Sequence, residues 1–68
     1  MSANVYKVVE LVGSSAESVE AAIQNAVGRA NESLRQLRWF EVLETRGSID
    51  ENGVSEWQVT VRISFTVD

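Results

Sequence analysis

Between residues 56 and 67 apolar and polar side chains alternate without interruption. Trp57, Val59, Val61, Ile63, Phe65 and Val67 interleave with Glu56, Gln58, Thr60, Arg62, Ser64 and Thr66. A period of two predicts a strand, here over residues 54–67, with one face to bury and one to leave polar. A second strand is predicted over residues 5–12, rich in β-branched side chains and ended by Gly13. Val5, Lys7, Val9 and Leu11 share one face of it, and Tyr6, Val8, Glu10 and Val12 the other. A third covers residues 38–49. Asp50-Glu51-Asn52-Gly53 then forms a hairpin loop, with Asn52 and Gly53 supplying positive φ angles.

Between residues 12 and 38 the period changes. Ala16, Val19, Ile23, Ala26, Val27, Ala30, Leu34 and Leu37 recur at steps of three and four, which predicts a helix over residues 16–37 with a narrow, Ala-rich stripe. Ser14 and Glu17 read as a capping box at its start. Gly28 costs about 1 kcal/mol relative to Ala in a helix interior, and close packing is the reading offered for it. The order is β-α-β-β: an α+β domain spanning residues 1–68, with a three-stranded antiparallel sheet packed on one long helix. The stripe is expected to cover Trp57, Val59, Val61, Ile63 and Phe65, with Phe40 and Val42 from the neighbouring strand. Trp57 is therefore read as core.

Composition narrows the picture. Sixty-eight residues form one domain with a marginal core. The chain has no Cys and no His, so neither disulfides nor zinc can staple it, and self-association is the staple left. A net charge of −4 with Lys7 as the sole lysine argues against nucleic acid. No apolar run approaches the ~18 residues of a membrane span. The first four residues carry no signal-peptide pattern, so a cytoplasmic location is expected.

The chemistry centres on the uncovered sheet face. If Phe40 and Val42 face the helix, Trp39, Glu41 and Leu43 point away from it, and Gln58 lies on that same outward face. A flat indole and a primary amide suit a planar, hydrogen-bonding heterocycle. On chemistry alone, subunit-interface packing is the better reading of an outward Trp. Glu41 and Glu44 are three apart, which strict alternation places on opposite faces, so they do not form an acid–base pair. Ser14 and Ser15 have no His to activate them.

The chain resembles the dodecins over essentially its whole length. Tyr6-Lys7-Val8-Val9-Glu10-Leu11-Val12-Gly13-Ser14-Ser15, Trp39-Phe40-Glu41-Val42, Arg46-Gly47 and Trp57-Gln58-Val59 carry the resemblance. It implies a hollow homododecamer of cubic symmetry that binds flavins in pairs at two-fold axes, between symmetry-related copies of one tryptophan. That tryptophan matches Trp39, the glutamine that reads the isoalloxazine edge matches Gln58, and an arginine that approaches the ligand matches Arg46. Glu44 is a further candidate contact to a polar ligand tail. The implied role is non-enzymatic flavin storage and photoprotective quenching. Many bacterial members carry an arginine after the last-strand Phe, associated with phosphate or coenzyme A contacts, where this chain has Thr66. That departure argues against coenzyme A and favours riboflavin, with FMN admitted through Arg46. Two rivals stand beside this reading: an assembly module in which Trp39 only packs subunits together, and, least favoured, a small enzyme acting on a planar substrate.

Overall fold

In a computed structural model that describes residues 4–67, the last strand takes the centre of the sheet. The elements are β1 (Val5–Ser15), α1 (Val19–Ser33), β2 (Leu37–Asp50) and β3 (Gly53–Val67). The sheet order is β1-β3-β2, antiparallel throughout. Residues 1–3, on which the reading of the N-terminus partly rests, and residue 68 lie outside the described part.

The centre of β3 is where alternation is strongest, and it is also where burial is complete. Val59, Val61 and Ile63 are fully or almost fully buried, and they meet Ala22, Ala26 and Ala30 of α1. These alanines are spaced by four and form one ridge of the helix. Ala22 was not in the stripe predicted from sequence, whereas Ala16 lies ahead of the helix and Leu37 has passed into β2.

The helix is shorter than its hydrophobic period implied, at both ends. Its N-cap is Ser18, whose Oγ accepts from the Ala21 N–H at 3.0 Å. The predicted Ser14 cap belongs instead to β1, which runs on past Gly13 to Ser15. Glu17 does not reach back; its own N–H donates to Ser15 Oγ at 2.9 Å. At the other end the Leu34 N–H donates to the Ala30 carbonyl, and Gln36 takes a positive φ of 60°, turning the chain into β2. No Gly or Pro marks this stop, so periodicity ran through it.

Close packing is required at Gly13, not at Gly28. A Cβ on Gly13 would collide with the Ala22 carbonyl and lie 2.9 Å from the Ala26 Cβ. Gly28 is exposed, with nothing within 4 Å of where its Cβ would stand. At the hairpin only Gly53 has a positive φ; Asn52 does not, and its N–H is instead held by Asp50 Oδ1 at 2.8 Å.

The helix rests chiefly on β1 and β3. Because β3 is central, β2 lies beyond the helix, and the expected cover over Phe40 and Val42 is missing: both are nearly half exposed. Trp57 is likewise not core. It is partly buried, outside the buried cluster, at the root of a hairpin arm that extends past the end of β1. That arm carries the opposed pair Ile49 and Val54, with Ile49 80 % exposed. The described chain thus leaves apolar surface open on the inner face of β2, on the arm and on the outer sheet face. A domain of this size gains by covering such surface through self-association.

Candidate functional site

Two irregularities in β2 decide which side chains share the outer sheet face. Leu37 pairs with Phe65 and Trp39 with Ser64, so Arg38 is an extra residue in the ladder. Leu37 packs against the core and Trp39 faces away, although strict alternation would keep them on one face. Five residues on, Val42 pairs with Val61 and Glu44 with Thr60, which makes Leu43 a second extra residue. This bulge reverses the parity again. Glu44 and Arg46 therefore come onto the outer face with Trp39 and Glu41, and the expectation that Glu41 and Glu44 lie on opposite faces is corrected.

Four residues meet at one end of this face. Arg46 Nε donates to Gln58 Oε1 at 2.8 Å across the β2–β3 ladder. The amide nitrogen of Gln58 donates to Glu56 Oε1 at 2.9 Å, and Arg46 Nη1 lies 3.8 Å from Glu44 Oε1. An amide has two acceptor positions and two N–H donors, so Gln58 keeps one of each for a further partner. Arg46 and Glu44 are both more than half exposed, so their ion pair contributes little to stability and can rearrange around a ligand.

Trp39 stands at the other end. Its ring lies 4.7 Å, centroid to centroid, from Tyr6 of β1 in an edge-to-face arrangement with an interplanar angle of 63°. Ser64 of the central strand, opposite both Val8 and Trp39, is only 1 % exposed, while Trp39 remains 48 % exposed. The indole is thus seated on the sheet, braced by a second aromatic, with about half its surface open. The partners of Trp39 and Arg46 on β3, Ser64 and Gln58, are six residues apart. At about 3.3 Å per residue that is roughly 20 Å. Sequence reasoning put the indole and the amide on the same face, correctly. It also treated them as a pair, and within one chain they are too far apart for a single three-ring heterocycle to touch both.

Between the two ends lies a charge network. Arg62 of β3 bridges Glu41 of β2 at 3.3 Å and Glu10 of β1 at 3.7 Å. Among the described residues there is no group of three or more His, Cys, Asp or Glu side chains placed to hold a metal ion, and no helix long and apolar enough to cross a membrane. Two contributors escaped sequence reasoning. Tyr6 was grouped with Val8, Glu10 and Val12 on one face of its strand, without a role, although its parity was a usable signal. Glu56 had no signal, since its contact to Gln58 depends on rotamers.

The family model described as Dodecin matches residues 5–68. The chain belongs to the dodecin family. It is 56 % identical over 64 residues to the dodecin of Thermus thermophilus, an alignment covering 94 % of this chain and 93 % of that protein. It is 34 % identical over 62 residues to the calcium dodecin of Mycobacterium tuberculosis, covering 91 % and 87 %. A crystal structure of a T. thermophilus protein superimposes with a TM-score of 0.94 at 55 % identity, covering 97 % of both chains. The β-α-β-β order and the three-stranded sheet are therefore those of solved dodecin structures.

Proposed function

We propose that this dodecin binds flavin without turning it over, as a homododecamer in which the isoalloxazine stacks on Trp39 at a subunit two-fold. The supporting observation is Trp39 itself: an indole braced by Tyr6 and half open on the face the helix does not cover. A stacking platform needs a rigid, accessible π-face, and this residue has both. The separation of Trp39 from Gln58 fits a site completed by a second copy, since a symmetry mate can bring its own Gln58 to the ring edge. There the spare donor and acceptor of the amide match the alternating acceptors and N–H of a flavin edge. Arg46 orients that amide, and Glu44 holds Arg46 and offers an acceptor to a polar tail. The ligand is riboflavin or FMN, and Thr66 taken by itself favours the uncharged form. Non-enzymatic storage and quenching agree with the absence of His and Cys from the sequence. A cytoplasmic location belongs to the same proposal.

Titration of riboflavin with the purified protein tests this. Electron transfer from a stacked indole to the excited ring predicts near-complete loss of flavin emission at stoichiometric protein. Emission that stays undiminished overturns the proposal.

A further inference from the structure

The outer sheet face carries three arginines, and they are not equivalent. Arg62 is held between Glu41 and Glu10, and Arg46 lies beside Glu44 with its Nε on Gln58. Arg38 is different: its Nε donates to the neutral hydroxyl of Thr66 at 2.8 Å, and no carboxylate among the described residues lies within ion-pair distance of it. It is also the extra residue that turns Trp39 outward, so its side chain is anchored directly beside the platform.

We propose that Arg38 is the tail-specificity residue of the Trp39 site, receiving the phosphate of FMN in preference to the uncharged tail of riboflavin. This rests on the flavin reading above. The first ground is geometric. Thr66 holds the guanidinium by its Nε, which leaves both Nη groups free to form a fork on a phosphate. The second is electrostatic. The chain carries a net charge of −4, so a phosphate needs a local cation to be held. On the outer face of the described residues the carboxylates of Glu10 and Glu41 cluster about Arg62, and Glu41 stands three residues along β2 from Arg38. That is about 10 Å, beyond the Debye length of ~8 Å at physiological ionic strength. Arg46, in contrast, has Glu44 and Glu56 within its own hydrogen-bonded cluster, and a phosphate there meets two carboxylates. Thr66 thus does not empty the site of positive charge: its hydroxyl positions a cation supplied by the neighbouring strand. The preference for riboflavin drawn from Thr66 alone is reversed.

The experiment is a paired titration of the assembled wild-type protein, R38Q and R38K with FMN and riboflavin, read by flavin emission at low and high salt. Wild type binds FMN at least as tightly as riboflavin, and the FMN affinity falls with salt. R38Q loses about three- to fivefold in FMN affinity, the range of a solvent-exposed charge pair, leaves riboflavin unchanged and removes the salt dependence. R38K restores part of the FMN affinity. If wild type quenches both flavins but R38Q leaves their affinity ratio unchanged, or weakens both alike, the role of Arg38 is overturned and the flavin reading survives. If wild type quenches neither flavin, both are overturned.

Discussion

Arg46 donates from Nε to Oε1 of Gln58 at 2.8 Å, and this contact fixes which way round the amide sits. With its oxygen toward Arg46 and its nitrogen toward Glu56, Gln58 has a defined orientation within the chain. Replacing Gln58 with Ala removes the amide proposed to read the flavin edge and is expected to weaken flavin binding at least about three- to tenfold, the value of one net hydrogen bond. Arg46→Ala is expected to cost less, because the amide survives but loses its tether. Isothermal titration of both variants against riboflavin checks the order.

On the proposed reading, substitutions at Trp39 separate ligand binding from assembly. Trp39→Phe keeps a π-face beside Tyr6 and is expected to retain weakened flavin binding. Trp39→Ala is expected to abolish binding while the oligomer persists, as measured by native mass spectrometry. A Trp39→Ala protein that falls apart into smaller species, from a colourless wild type, supports the assembly-module reading instead.

Gly13, in β1 against the helix, and Gly28, within the helix, predict opposite outcomes. Gly13→Ala forces a Cβ into the Ala22 carbonyl and is expected to destabilise the fold by about 1–3 kcal/mol or more. Gly28→Ala meets open space on an exposed helical face and is expected to stabilise it by up to about 1 kcal/mol. Denaturant unfolding of the two variants side by side measures the difference in sign.

Burial sets the contrast between Ile63 and Trp57. Ile63 is 1 % exposed in the packed cluster, and Ile63→Ala is expected to cost about 2–5 kcal/mol. Trp57 is only partly buried within its own chain, so Trp57→Ala should cost the isolated fold less and the assembled protein more. Thermal unfolding measured at several protein concentrations distinguishes the two, since losses at an interface depend on concentration.

The amino-acid sequence alone determined the number, kind and order of the elements, because period-two and helical patterns are local properties of the chain. It determined that β3 must bury one face, and it set Trp39 and Gln58 on the other. It also carried the family, through short motifs spread from Tyr6 to Gln58. Element ends were another matter. Ser14 and Ser18 both offer a capping hydroxyl; in the fold Ser14 stays in β1, beside the close approach of Gly13 to the Ala22 backbone, and Ser18 caps the helix. The helix end at Leu34 depends on Gln36 accepting a left-handed turn, which no residue type announced. The tertiary structure alone decided that β3 is central, which leaves Phe40 and Val42 uncovered, and that Arg38 and Leu43 are bulges. A bulge arises from the competition of one strand's pairings with its neighbour's, so it has no signature within the strand itself. Yet it is the Leu43 bulge that brings Glu44 and Arg46 onto the face of Trp39, and the Arg38 bulge that leaves Arg38 to reach Thr66.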